Sequence, residues 1–247
     1  MKWKSVHLSV DSVKKAARHP SLLAAFIKGA READLAKQHV AIELTSAGKL
    51  FNSMAGEIPY QHPLDVMSYV INHNWNKCYG NGFLYAICRW FNPGVVVETG
   101  VHYGASTSFI LSALNDNQAG HLYSIDAPNR VYNSSKGKHS DLLPDGCETG
   151  FVVPQFLKSR WTLIPGTSYE KLAELLDKVG NIDIFFHDSE HTYETMLFEF
   201  KEAWPKLKPG GLLIADDVLW NKAFIDFCSS VECNYNIQRG KGFAYKS

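Results

Sequence analysis

Residues 94–107 read GVVVETGVHYGAST, and this stretch decides the fold. Its three consecutive valines form a short β-branched run, which favours a buried strand. Gly100 and Gly104 follow the run, and beyond them apolar residues recur with helical spacing. A strand that turns sharply into a helix is the first half of a βαβ unit.

The same arrangement repeats along the rest of the chain. Apolar runs that end in a polar residue or a glycine turn occur at HLYSIDAP, WTLIPGTS, IDIFFHD and GLLIADD, and helical patterns separate them. The tail ECNYNIQRGKGFAYKS predicts an antiparallel hairpin around the turn at residues 239–242. Alternating strands and helices predict an α/β fold with a doubly wound, mostly parallel seven-stranded sheet.

The pattern changes near residue 92. Residues 1–91 show helical spacing without a strand signal, which predicts a helical amino-terminal cap with one or two helices in its first half. Residues 92–247 are predicted to form a Rossmann-like core. The polar segment 129–150 is longer than a usual connection, and both a substrate lid and a disordered insertion are open for it.

Composition narrows the classes of partner. The 25 lysines and arginines equal the 25 aspartates and glutamates, so no net charge favours nucleic acid or an anionic membrane. No run approaches the roughly 18 apolar residues of a membrane span, and the first residues lack a secretory signal. The five cysteines contain no Cys-x-x-Cys pair, which disfavours a disulfide framework and a structural zinc site. We therefore expect a cytoplasmic protein with a small-molecule partner.

The turn after the first strand has features of a nucleotide-binding turn. Glycines four residues apart let the backbone approach a ligand, and the following helix offers unpaired N–H groups. The spacing differs from the dinucleotide fingerprint, and Glu98 before the glycines suits a cationic ligand. Asp126 ends the second strand, where an acid can accept hydrogen bonds from ribose hydroxyls. Together the two acids favour nucleoside binding.

Acidic residues also end the fourth and fifth predicted core strands. Asp188 follows one, and Asp216 and Asp217 follow the other. Neighbouring parallel strands would bring these carboxylates together, which is costly unless a cation neutralises them. Oxygen ligands suit magnesium, although the Asp pair could instead cap the next helix. His191 lies near the same edge, where a neutral imidazole is suited to accept a proton.

These motifs, E-x-G-x-x-x-G-x-S/T, an acid after the second strand, D-x-x-H and D-D, resemble those of class I S-adenosylmethionine-dependent methyltransferases. Within that class the sequence is similar to metal-dependent small-molecule O-methyltransferases. The similarity is to the catechol O-methyltransferase type and to the macrolide-sugar O-methyltransferase and cephalosporin-hydroxylase-like group. It covers about residues 78–247.

The resemblance implies a divalent-metal-assisted O-methyltransferase that acts on a hydroxyl of a small molecule. It implies the cofactor residues Glu98, Gly100, Gly104, Ser106, Asp126, Gly166, Ser168 and Asp188. It further implies the metal ligands Asp188, Asp216 and Asp217. The base would be His191, as in the macrolide-sugar group, whereas the catechol type uses lysine. The catechol type carries asparagine where Asp217 stands, so magnesium is favoured while manganese and calcium stay open.

Two other functions are compatible with parts of the pattern. His187, Asp188 and His191 supply the residue types of a non-haem iron oxygenase, but the nucleoside-binding acids would then have no role. A non-catalytic cofactor-binding module could dock through the amino-terminal helices, which could also form a homo-oligomer. Four aromatic or histidine residues could either line a substrate pocket or pack elsewhere: Tyr60, His62, Tyr103 and Trp220. Glu190 and Glu194 most simply favour the start of a helix.

Overall fold

The computed structural model of the chain describes residues 20–54, 63–64, 70, 81–128, 131–134, 137–140 and 142–247. Two residues that the sequence offers as pocket walls, Tyr60 and His62, lie outside this part. None of the helices in the described ranges is both long and apolar enough to cross a bilayer.

Two helices with both ends in the described ranges precede the first strand. Helix α1 runs over Pro20–Met54 as one 35-residue helix, and α2 runs over Gly82–Phe91. Every residue from Gly82 to Cys88 in α2 is buried, and its apolar side chains pack in the same core cluster as Val96 of the first strand. The domain boundary at residue 92 stays a prediction.

A seven-stranded sheet forms the centre of the molecule, as predicted. Strands are numbered along the chain, and the third and fourth belong to a separate small sheet. The strands of the central sheet are β1 Val95–Thr99, β2 His121–Asp126, β5 Trp161–Pro165, β6 Ile182–His187, β7 Leu207–Ala215, β8 Asn234–Gln238 and β9 Lys241–Tyr245. Their spatial order is β5-β2-β1-β6-β7-β9-β8. Strands β1, β2, β5, β6 and β7 pair in parallel, and β9 runs antiparallel to both of its neighbours, β7 and β8.

Helices cover both faces of the sheet. They are α3 Ala105–Asn117, α4 Ser168–Val179, α5 Tyr193–Lys206 and α6 Ala223–Ser230, with a 3-10 helix at Gln155–Arg160. One apolar cluster joins α2 and α3 to the sheet, and a second joins α4, α5 and α6 to it. Alternate strand residues point to opposite faces, so the sheet feeds both clusters. This confirms the doubly wound α/β prediction.

The segment 129–150 contains local structure that its composition did not predict. Strands β3 Val131–Ser134 and β4 Gly137–Ser140 pair antiparallel in a small separate sheet. Within the part of this segment that is described, neither a lid nor disorder is established, and both interpretations stay open.

The carboxyl-terminal hairpin is confirmed. Arg239 and Gly240 both adopt left-handed backbone, with φ of 52° and 83°, and join β8 directly to β9. Two positive φ angles are typical of the tight turn whose twist matches paired strands. The hairpin pairs Gly242 of β9 with Ala215 at the end of β7. It therefore carries Lys241 to the edge of the sheet where the acidic residues lie.

Candidate active site

A cavity of about 280 Å³ opens at the carboxyl ends of β1, β2 and β6. Strand β1 lies between β2 and β6, so the chain crosses in opposite directions on either side of it, which is where open α/β sheets bind ligands. The predicted residues that line the cavity are Gly100, Asp126, Gly166, Ser168, Asp188 and His191. The cavity is thus lined both by residues predicted to bind the cofactor and by the predicted base, His191.

Gly100 allows β1 and β6 to meet beneath this cavity. Its φ is +87°, and a Cβ there would lie 2.0 Å from the carbonyl oxygen of Asp188. The Asp188 N–H donates to the Thr99 carbonyl at 2.8 Å, which closes the same corner. Only glycine fits a backbone approach this close.

Asp126 is held in one orientation. Its Oδ1 accepts from the backbone N–H groups of Val101 at 2.9 Å and His102 at 3.2 Å. Its Oδ2 accepts from the Thr149 hydroxyl at 2.8 Å. The carboxylate is therefore fixed at the cavity before any ligand arrives. Thr149, in the polar segment, carried no signal that distinguished it in the sequence.

Glu98 does not reach the cavity lining. Its carboxylate is fully buried and accepts from the hydroxyls of Ser106 at 2.9 Å, Thr107 at 2.8 Å and Ser124 at 2.7 Å. Burial raises its pKa to about 7, although the three hydrogen bonds oppose the shift. In this arrangement Glu98 and Ser106 tie β1, β2 and α3 together below the turn. Their contact with the cofactor stays a prediction.

Gly104 also acts away from the cavity lining. It adopts left-handed backbone at the start of α3, with φ of 92°. A Cβ there would lie 2.7 Å from Val153 Cγ2 and 2.8 Å from Gly150 Cα. The absence of a side chain at Gly104 therefore lets the chain around Gly150 pack against the turn. The N–H of Gly150 donates to the His102 carbonyl at 2.9 Å.

Glu199 of α5 organises the residues behind the cavity. The carboxylate is fully buried and accepts from the hydroxyls of Thr99 at 2.5 Å and Ser189 at 2.7 Å. Its Oε2 also lies 2.6 Å from Nδ1 of His187. Burial alone would raise the pKa of Glu199, but His187 and the hydrogen bonds hold it below its ordinary value. Glu199 was not predicted from the sequence, although an acid between Phe198 and Phe200 on a helix could have indicated it.

His187 accordingly faces the core. It is fully buried and engaged by Glu199, whereas its neighbour Asp188 lines the cavity. His187 therefore belongs to the packed interior behind the cavity. This placement weakens the iron-oxygenase interpretation, because the two residues do not present ligands to one point.

His191 has an imidazole suited to accept a proton. Its Nε2 lies 3.8 Å from Asp188 Oδ1, and its ring centroid lies 5.2 Å from that of His187 and 5.2 Å from that of Trp220. Burial, followed by the nearby His187, lowers its pKa to about 4. Among the described residues, Nε2 has no hydrogen-bond partner. The ring is therefore neutral near pH 7 with a buried nitrogen available.

The three predicted metal ligands lie around one corner but do not close on one point. Burial, and then the charge of Asp216, raise the pKa of Asp188 well above its ordinary range. Asp216 Oδ1 accepts from the backbone N–H of Asp217 at 2.6 Å and also contacts Nζ of Lys241. In the described ranges, no three His, Cys, Asp or Glu side chains are grouped so as to hold a metal ion. The metal stays a prediction.

Comparison with known proteins finds one matching family model and several solved structures of similar fold. A family described as a methyltransferase domain matches residues 97–218. No curated protein matches the chain. The solved structure of the O-methyltransferase NovP is similar with a TM-score of 0.54 and 16% identity, covering 84% of this chain and 99% of NovP. CalS11, a calicheamicin methyltransferase, is similar with a TM-score of 0.50 and 14% identity, covering 81% of this chain and 91% of CalS11. At these identities the structures show a shared fold.

Proposed function

We propose that the chain is a class I S-adenosylmethionine-dependent methyltransferase that methylates a hydroxyl oxygen of a small molecule. The methyltransferase-domain family that matches residues 97–218 supports this proposal. The observation that carries the proposal is the neutral imidazole of His191 at the rim of the nucleoside-type cavity. A base is needed there because a hydroxyl must lose its proton as its oxygen accepts a methyl group.

The cavity suits the cofactor. S-Adenosylmethionine supplies a methyl group on a positively charged sulfur. The fixed carboxylate of Asp126 is placed to accept the ribose hydroxyls, and its orientation costs nothing further on binding. Gly166 and Ser168 line the cavity beyond the end of β5 and would lie beside the adenine. Tyr169 also lines it and stacks on Phe198 with ring centroids 4.4 Å apart.

His191 would take the proton of the substrate hydroxyl. A pKa of about 4 keeps the ring unprotonated at neutral pH, but it also makes the ring a weak base. Proton transfer to Nε2 is therefore favourable only while the oxygen is forming its new bond to carbon. Most of the rate gain would come from holding the two reacting atoms in line.

Divalent-metal assistance is part of the proposal. Asp188, Asp216 and Asp217 would hold the ion, since carboxylate oxygens are the ligands that magnesium prefers. The ion would supply Lewis acidity that lowers the pKa of a bound hydroxyl. This chemistry would compensate for the weak basicity of His191. The support is the donor chemistry of the three acids and the effect of their charges on Asp188.

Cofactor binding is tested by calorimetry with S-adenosylmethionine, with and without magnesium. We expect wild type to bind and Asp126→Ala to bind at least about tenfold more weakly, because it loses a charged hydrogen-bond acceptor. Asp177→Ala is the matched control, since that side chain is 76% exposed on α4. Failure of wild type to bind the cofactor would overturn the proposal.

Catalysis is tested by transfer of labelled methyl from S-adenosylmethionine to a panel of small hydroxylated compounds. His191→Asn should retain cofactor affinity and lose roughly 10²- to 10⁴-fold in turnover, the range of a general base. Unchanged turnover in His191→Asn would exclude the residue as the base. Cofactor binding without transfer to any hydroxyl compound would favour a non-catalytic cofactor-binding module.

A further inference from the structure

A lysine from the far end of the chain lies in the acidic corner of the site. Nζ of Lys241 forms an ion pair with Asp216 Oδ1, and the two side chains are only 20% and 15% exposed. The same Nζ lies 5.9 Å from the ring centroid of Phe83 on α2. An ammonium group between a carboxylate and an aromatic face is a partly buried contact, not a solvated surface pair.

The fold holds this lysine in place. Lys241 opens β9, directly after the tight turn, and the next residue pairs with the last residue of β7. The N–H of Val218 donates to the Gly240 carbonyl at 3.0 Å, which ties the loop after β7 to the turn. At Gly242, a Cβ would lie 2.7 Å from the ring of Phe224, so the strand packs closely on α6. The hairpin therefore presents Lys241 to Asp216 from a rigid base.

The contact occupies one of the two carboxylate oxygens that Asp216 could offer a metal. Asp216 Oδ1 already accepts the N–H of Asp217, and Lys241 is its second donor. A carboxylate oxygen has two lone pairs in its plane, so two donors fill the favourable directions. A divalent ion cannot bind this oxygen while both contacts stand.

The charges favour an exchange of cations. Asp188, Asp216 and Asp217 carry three negative charges when ionised, and Lys241 supplies one positive charge. Without any other cation the lysine offsets part of the repulsion among the acids. A divalent ion would offset more of it, but it would also be repelled by the ammonium group.

Resting on the proposed function, we propose that Lys241 is an internal counter-cation that competes with a divalent metal for Asp216. Metal binding then requires the lysine to withdraw, and the lysine lowers the metal affinity of the site. The pair keeps the acidic corner ordered in the metal-free protein.

The test is direct binding of Mn²⁺, followed by electron paramagnetic resonance of the free ion, on the full chain. Lys241→Met keeps the apolar stem and removes the charge, so it should bind at least about tenfold more tightly than wild type. Lys241→Arg keeps the charge and should stay weak. Lys208→Met is the matched control, because Lys208 forms a 2.7 Å ion pair with Asp183 at the opposite end of β6. It should bind as wild type does.

Thermal unfolding of each variant verifies that it is folded. Equal or weaker Mn²⁺ affinity in folded Lys241→Met would overturn the inference, as would the absence of binding in every variant. Calorimetry with S-adenosylmethionine on the same samples separates the two proposals. If wild type binds S-adenosylmethionine but Lys241→Met does not bind Mn²⁺ more tightly, only the role of Lys241 is overturned. If wild type does not bind S-adenosylmethionine, the proposed function is overturned.

Discussion

Two buried glutamates show how a neighbouring group decides the state of a carboxyl. Glu98 accepts only neutral hydroxyl donors, and burial raises its pKa to about 7. Glu199 accepts hydroxyls and also contacts His187, and its pKa is held low despite complete burial. Hydroxyl donors offset part of the desolvation cost of a charge, whereas an imidazole can offset more of it. Glu98 therefore gains or loses its proton near pH 7 in the folded protein.

Glu98→Gln should change how stability depends on pH. Between its ordinary pKa of 4.5 and its folded pKa of about 7, folded Glu98 keeps a proton that the unfolded chain releases. Its contribution is therefore complete below about pH 4.5 and is lost as pH rises through about 7. At about 1.4 kcal/mol per pKa unit, the loss is at most about 3 to 4 kcal/mol. Glutamine should remove this slope, as urea unfolding at several pH values would measure.

Glu174→Gln is the control for this measurement, because Glu174 is exposed on α4. It should leave the pH dependence of the unfolding free energy as in wild type. If Glu98→Gln ran parallel to wild type across the same pH range, the carboxyl would be ionised in the folded protein at all these pH values.

At the scale of elements, the turn from β1 into α3 connects the sheet to the cavity. Its N–H groups at Val101 and His102 orient Asp126, and its glycines admit the chain at Asp188 and Gly150. The sequence signalled this turn by spacing alone. It could not signal which strand ends would touch the glycines, because those contacts depend on how distant strands pair.

Gly100→Ala should be far more damaging than Gly240→Ala. Both glycines have similar backbone, with φ of +87° and +83°, so the conformational penalty of alanine is about 1 to 2 kcal/mol at each. At Gly240 a Cβ meets nothing within 4 Å, whereas at Gly100 it would meet the Asp188 carbonyl. Gly100→Ala should therefore lose several kcal/mol of unfolding free energy, together with cofactor binding. Denaturant unfolding and calorimetry measure both, and equal losses would contradict the predicted clash.

At the scale of the molecule, local patterns predicted more of the fold than of the site. Strand runs, helix spacing and the hairpin turn are local signals, and they predicted a doubly wound sheet with an antiparallel edge. They did not predict Glu199 or Lys241. Each acts through a partner brought near by packing, such as Thr99, which lies 100 residues from Glu199. Glu98 was placed correctly at its strand end but faces the interior.

Lys246, just after β9, also acts through residues that are distant in the sequence. Nζ of Lys246 donates to the carbonyls of Trp204 and Leu207 at 2.7 Å each, where α5 ends and β7 begins. Backbone bonds also join Lys246 to Gly210 and Gly211. A cation beside the carbonyls at the carboxyl end of a helix stabilises that end. The lysine therefore fastens the carboxyl-terminal hairpin to the parallel part of the sheet.

Lys246→Met should lower the unfolding free energy by about 1 to 3 kcal/mol, because it removes the charged donor that these carbonyls share. Since β9 shares the sheet with the strands of the cavity, we expect one cooperative transition at a lower temperature, with cofactor affinity unchanged. Lys178→Met, at an exposed position of α4, should unfold as wild type does. Calorimetric unfolding distinguishes the outcomes. Two separate transitions in Lys246→Met would show that the hairpin unfolds independently, and its Lys241 would then not be presented from a rigid base.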